Sequence, residues 1–439
     1  MIGILRKRSI FLQLIAVGGT TAFLLIVIAL KIPSAYSNFW AEDGVFYQQA
    51  LNNRFPADFF ISGGLYVIFI SRILSNLVAV GPIEYAPLVN TVLVMFFLAF
   101  FIERVYVNLG HLIRSRIYKF IICLSVLLLP INNYETIASG TALHFQLLFV
   151  ALVINLAAIK NGAFTAVDLI VLLISILSDP FGVIVLIPLF LGRVSNIVRF
   201  WKGKKLILFT VVGSVALQLA MMAIFHFRGD RALAANHSIL KVTYLFLDRV
   251  IGSSFIPHWG YISSDSFTAG NISVYLIMRA AIAFLCFAVL AGFLVLFLRS
   301  KFALGEIHSK TTVIWLVLLP SIYWLIAGYL ANPESRYAVF PGLSATLAVL
   351  VLLDHLSCER DPRVFTRIVE YIVLGFSILI WVLSANASAT RITGPDWQSQ
   401  FDRLRVECKS SSLDTVSIKI LPEGKYWKLD FSCQTLTKS

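Results

Sequence analysis

Two of the chain's few acids stand side by side: Glu42 and Asp43, within Asn38-Phe39-Trp40-Ala41-Glu42-Asp43-Gly44-Val45-Phe46-Tyr47. Adjacent carboxylates flanked by aromatics suit general-base chemistry. Partial burial and the neighbouring negative charge raise the proton affinity of one, and a nearby arginine restores its ionised form. An ordinary solvated loop carries such a pair with no role at all. Arg336, in Asn332-Pro333-Glu334-Ser335-Arg336-Tyr337, offers a guanidinium fork that matches phosphate oxygens two at a time, and the same position suits contact with lipid headgroups. Asp179, in Ser178-Asp179-Pro180, is an acid near membrane depth and a candidate to bind an acceptor sugar or assist the base; Asp before Pro is equally a helix-breaking turn. Arg72 is a second cation candidate or an interface anchor. Trp40, Tyr337, Glu135 and His258 complete the candidate substrate-binding set, while His144 reads as a hydrogen-bonded structural histidine. No compact cluster of His and carboxylate spacing points to a metal, and no phosphate loop, dinucleotide fingerprint or nucleophile elbow points to a cofactor.

The elements that position these residues follow from composition. Of 439 residues, 59% are hydrophobic and 13% charged, against ~45–50% and ~25% in soluble domains. That excludes a soluble protein and predicts an all-α polytopic membrane protein. Ile10 to Leu30 follows Arg6, Lys7 and Arg8, lacks a cleavage site, and reads as a first crossing with the N-terminus in the cytoplasm. Further crossings are expected at Tyr85–Val107, Tyr118–Leu129, Ala142–Ile159, Leu206–His226, Ile272–Leu298, Thr311–Leu330, Ala338–Leu353 and Ile368–Ser384. Thr165 to Leu191 reads as two short helices meeting at Ser178-Asp179-Pro180, with one kinked helix as the alternative. The total is about eleven transmembrane helices. Ile61 to Val80 is placed on the outer interface, because a crossing there would send Arg104, Arg114, Arg116 and Lys119 to the outer side. The net charge of +13 is thereby a topology signal and no nucleic-acid footprint.

The transmembrane domain, residues 1–384, has outer loops at 33–84, 131–141, 227–270 and 331–337. Residues 385–439 form an extracytoplasmic module. Alternation over Val416–Ile420 and Trp427–Phe431, about Pro422-Glu423-Gly424, predicts a small β-rich fold. So short a module buries little core, and Cys408 and Cys433, which share the oxidising side, predict a stabilising disulfide.

With Trp40-Ala41-Glu42-Asp43-Gly44, and secondarily Ser178-Asp179-Pro180 and Ser335-Arg336-Tyr337, the chain resembles the glycosyltransferase C superfamily; its first outer loop looks like that of uncharacterised bacterial polytopic proteins. In architecture the resemblance covers the whole chain. It implies a membrane glycosyltransferase, in a bacterial inner membrane, that moves a sugar with inversion from a polyprenyl-phosphate-linked donor to a cell-surface glycan, lipid or protein acceptor on the extracytoplasmic face. The family's acidic motif is usually Asp-Asp or Asp-Glu. Here it is Glu42-Asp43, which leaves open which of the two is the base. Some relatives use a divalent metal and others do not, and none is expected here. A flippase of lipid-linked sugars would need charges along a path through the bundle, whereas the acids gather on one side. A surface-glycan polymerase shares the architecture and differs in elongating a chain.

Overall fold

The computed structural model describes residues 2–53, 55–61, 68–129, 136–191, 205–227, 239–252, 254, 307–330, 335–359, 363–383, 396–410, 413–421 and 427–438, with isolated positions between 281 and 295. Glu135, His258 and most of the crossing expected at Ile272–Leu298 lie outside the described residues.

Helix α1 (Ile2–Lys31) carries the first apolar run and packs along α4 (Ala86–Leu109). Between them lie a 3-10 turn at Pro33–Tyr36 and two short helices, α2 (Glu42–Asn52) and α3 (Phe69–Ala79). The chain continues through α5 (Arg116–Leu128), α6 (Leu143–Asn161), α7 (Ala166–Ser178), a 3-10 segment Pro180–Leu186, α8 (Ile187–Leu191) and α9 (Lys205–Phe227). Then come α10 (Ile239–Leu245), which runs into a π-helical turn Phe246–Gly252, and α11 (Ile307–Leu330), α12 (Val339–Glu359) and α13 (Arg363–Leu383). The axis of the bundle is α6, buried from Leu143 to Ala158 on every face, as befits a helix that is apolar all round. Around it pack α4, α7 and α12.

Among the described residues, five helices are long and apolar enough to cross a membrane: Gln13–Lys31, Ile83–Leu109, Leu143–Asn161, Lys310–Ala327 and Arg336–Leu356. The chain is thus an integral membrane protein, but the expected total of about eleven crossings is not reached among these residues. Part of the count falls outside the described residues, as at Ile272–Leu298, and among the described ones two elements are short. Helix α5, with 13 residues, rises about 20 Å and falls short of the ~30 Å hydrocarbon core. Helix α3, with 11 residues, is shorter still.

Of the two readings of residues 165–191, the hairpin is the one observed. Ser175 Oγ donates to the Leu147 carbonyl at 3.3 Å, and Asn155 Nδ2 donates to the Val185 carbonyl at 2.8 Å, so the chain approaches the start of α6 and then returns along it. Gly182 lies flat on α7: a Cβ there would meet Ile176 Cα at 2.7 Å. The reversal is capped by Asp179, whose Oδ1 accepts the Phe181 N–H at 2.8 Å, and Pro180 follows where its missing N–H costs nothing.

Polar groups collect at the two ends of this bundle. At the end where α4 finishes and α7 begins, Arg104 Nη2 lies 2.7 Å from Asp168 Oδ1, to which Asn108 Nδ2 also donates at 3.0 Å. Asp354 there accepts the N–H groups of Arg114 and Ser115 at 2.9 and 2.8 Å. Glu42, Asp43, Arg72, Asp179 and Arg336 are all at the opposite end, where α6 starts and α7 finishes.

The tail corrects the expected β-rich module. Strands β1 (Thr415–Lys419) and β2 (Lys428–Ser432) do pair antiparallel, Ser417 opposite Asp430, but they are joined by two helices, α14 (Trp397–Ser410) and α15 (Cys433–Lys438). In α14, Trp397, Phe401 and Leu404 are buried at helical spacing beneath the inward residues of the hairpin, an apolar stripe in an otherwise polar segment. Cys408 and Cys433 form the expected disulfide, with Cα atoms 5.2 Å apart. The core of this unit is not its own. Phe39, Tyr47, Val78, Ile83 and Ala86 share it, with Phe39 stacked on Tyr47 at 5.0 Å and edge-on to Trp397 at 5.3 Å. Burial of aromatic side chains of this size contributes about 1.5–3 kcal/mol each. It also pushes the Tyr47 hydroxyl well above its usual pKa, helped by the nearby Glu84 charge.

Two glycines test this packing with opposite signs. Gly182→Ala forces the return segment off the α7 backbone and lowers stability by about 1–3 kcal/mol. Gly213→Ala, in α9 with nothing within 4 Å of the added carbon, raises it by roughly 0.5–1 kcal/mol. Thermal unfolding of the detergent-solubilised variants reads both.

Candidate functional site

The acid pair opens α2. Both carboxylates fall in its first turn, at the positive end of the helix dipole. Their environments then diverge. Asp43 is 4% exposed and turned inward, with Oδ1 accepting the Thr141 N–H at 2.8 Å and the Ser139 hydroxyl at 3.2 Å, and Oδ2 accepting the Gly140 N–H at 3.1 Å. Glu42 turns outward: its side chain is 31% exposed and its Oε1 lies 3.1 Å from Arg336 Nη1, itself 29% exposed. One acid is a fixed internal charge. The other is reachable.

Arg336 sits in the 3-10 turn Ser335–Ala338 that leads into α12. Its guanidinium carbon is 5.9 Å from the centre of the Tyr337 ring, and that ring meets Phe145 edge-on at 5.4 Å. The Ser139-Gly140-Thr141 turn connects the acids to α6. The Thr141 carbonyl accepts from His144 Nδ1 at 2.5 Å, which assigns the proton to that nitrogen, and Nε2 then faces Asp179 Oδ2 at 3.6 Å. Asp179 is 2% exposed. It therefore stands behind His144 and does not line the open part of the site.

Glu42, Asp43, Arg336, Tyr337 and Asp179 are thus brought together at one end of the bundle. Arg72 is close by but engaged: Nη1 donates to Gln49 Oε1 at 2.5 Å, Nη2 donates to the Ile61 carbonyl at 2.8 Å, and the guanidinium lies 4.2 Å above the Phe46 ring. Trp40 is buried against Leu421 and Trp427. Its ring is packed where an exposed sugar platform would need an open face.

Sequence reasoning did not identify Ser139, Gly140 and Thr141. They act through backbone N–H groups, which every residue type but proline carries, so only their turn-forming composition hinted at them. Ala41 (φ 42°), two residues before Asp43, and Ala138 (φ 56°), next to Ser139, have positive φ, a conformation rare outside glycine and concentrated at functional sites. Among the described residues no group of three or more His, Cys, Asp and Glu side chains is arranged to hold a metal ion.

The divergence of the two acids has a measurable consequence. Asp43→Asn puts an amide nitrogen where one of the two backbone N–H groups needs an acceptor, and destabilises the protein by about 2–3 kcal/mol. Glu42→Gln, at a half-exposed ion pair, costs less than about 1 kcal/mol. Parallel thermal melts of the two variants separate these values.

No protein-family model matches the chain, and no curated protein does. Two solved structures are similar to it, both of the oligosaccharyltransferase of Archaeoglobus fulgidus. One is the apo form, at 13% identity and a TM-score of 0.47 over 91% of this chain and 58% of that one. The other is AglB in complex with an inhibitory peptide and a dolichol-phosphate, at 13% identity and a TM-score of 0.46 over 92% and 58%. The chain spans little more than half the length of these structures. A likeness of this size carries no argument about function.

Proposed function

We propose that the protein is a membrane glycosyltransferase that moves a sugar from a polyprenyl-phosphate-linked donor to a hydroxyl or amide acceptor, with inversion at the anomeric carbon. The observation that carries this reading is the Glu42–Arg336 pair at 3.1 Å, half exposed and backed by the buried Asp43. Sugar transfer from a lipid phosphate makes two demands. The acceptor must lose a proton as its oxygen or nitrogen attacks, and the departing phosphate must be met by fixed positive charge. Glu42 is the base in this reading, since it is the acid that a substrate can reach. Asp43 holds the first turn of α2 in place and adds negative potential beside it. Arg336 is the phosphate clamp: a guanidinium carries five N–H donors, enough to hold Glu42 and a phosphate together.

An apolar cavity supports a lipid-linked donor. It measures about 190 Å³ and is lined by Val250, Ile251, Leu316, Pro341 and Leu352, between the π-helical turn, α11 and α12. Pro341 follows shortly after Arg336 in the chain, so a phosphate at Arg336 has apolar surface nearby for its hydrocarbon. The acceptor is a surface glycan, lipid or protein, and chain elongation in place of single-sugar transfer would make the enzyme a polymerase.

Purified protein in nanodiscs, given a polyprenyl-phosphate-linked hexose and a panel of glycan and lipid acceptors, tests the assignment. Glu42→Gln reduces transfer by about 10²–10⁴-fold, and Arg336→Ala by about 10²-fold or more. Undiminished transfer in both variants would remove the basis of the reading.

A further inference from the structure

The residue before the acids is strained. Ala41 has φ 42° and ψ −119°, a combination that a side chain opposes and that persists only where the surroundings over-determine it. Here the surroundings are the tail. The Ala41 N–H donates to the Leu421 carbonyl at 2.5 Å and the Leu421 N–H donates to the Phe39 carbonyl at 3.1 Å, making a parallel bridge between Trp40 and Leu421. Upstream, the Trp397 N–H donates to the Ser37 carbonyl at 2.9 Å, and its indole N–H to the Ile83 carbonyl at 2.9 Å. Downstream, Gly44 is pressed against the hairpin, where a Cβ would stand 2.6 Å from Ile420 Cδ1 and 3.2 Å from Leu429 Cδ1. Gln48 Nε2 donates to the Asp430 carbonyl. On both sides of Glu42 and Asp43, the main chain is fixed by residues from the opposite end of the sequence.

We infer that the C-terminal module is the positioning element of the acid pair and that Leu421 is its positioning residue. The Leu421 main chain holds Ala41 in the turn that starts α2, and the direction in which α2 starts sets the approach of Glu42 to Arg336. Strand β1 leads directly into Leu421, and the Cys408–Cys433 disulfide ties α14 to the end of β2, so the crosslink keeps the bridge in register. In its catalytic arm the inference rests on the proposed transfer reaction; the positioning itself does not.

Hydrogen exchange of the full chain in nanodiscs, read by mass spectrometry, separates the two. Leu421→Pro removes the donor to Phe39, and a Cys408→Ser, Cys433→Ser double variant loosens the module from a different side. Each is expected to speed exchange in peptides covering residues 37–48 by about tenfold or more, the loss of one to two hydrogen bonds. Peptides covering 143–161 stay as slow as in the parent, which shows that the bundle has folded. Leu421→Ile, which keeps both main-chain bonds, is expected to match the parent. With a polyprenyl-phosphate-linked hexose as donor, the first two variants lose kcat by about tenfold or more at an unchanged donor KM. Unaltered protection of 37–48 in both would overturn the inference, and so would faster exchange with an undiminished kcat. If the parent shows no transfer at all, the reaction assignment fails and the exchange result alone decides the positioning.

Discussion

A carboxylate withdrawn from water has to be met by donors or it unfolds its surroundings, and Asp43 imposes that condition on this end of the molecule. The donors are main-chain groups, so the 139–141 turn must have one shape. That shape uses Ala138 at positive φ and the Gly140 carbonyl turned to accept from Ser71 Oγ at 2.9 Å, which brings in α3. From α3, in turn, the Ile70 N–H donates to Ser178 Oγ at 2.9 Å, at the tip of the α7 hairpin. His144 stands between the same turn and Asp179. A single buried charge therefore organises segments from α2, α3, α6 and the hairpin.

That arrangement divides the work of two adjacent acids. A fully satisfied carboxylate is rigid and poorly placed to take a proton, because taking one would break its own hydrogen bonds. A partly exposed neighbour stays within reach of a substrate. Sequence adjacency on a helix makes the division inevitable: consecutive residues point about 100° apart, so when Asp43 turns inward Glu42 turns away.

Features set by local chemistry were legible in the sequence. The acid pair, the break at Asp179-Pro180, the two alternating strands and the Cys408–Cys433 bridge each rest on residue types at short spacing. Others depended on partners far along the chain. Arg336 and Glu42 are 294 positions apart, and nothing in either stretch names the other. Trp40 looked like a ligand-facing aromatic because its partner, Leu421, is an undistinguished leucine in a turn. Helix α14 was overlooked because three buried apolar side chains in a polar segment give a weak stripe. Five of the expected crossings coincide with described helices long enough to span, whereas α5 shows that an apolar run can also form a helix shorter than a span, a distinction of length that hydropathy alone does not make.

The shared core of the tail and the first loop has a consequence for biogenesis. Gln48 and Asp430, which are hydrogen-bonded, are separated by 382 positions. A chain emerges from the ribosome at about 5–20 residues per second, so the loop waits on the order of twenty seconds or more for its counterpart. During that interval Phe39, Tyr47, Val78 and Ile83 lack the side chains that cover them in the finished protein. Assembly of this end waits on the arrival of the tail, and a chain that stops before Leu421 has every membrane helix described here and no finished acidic loop.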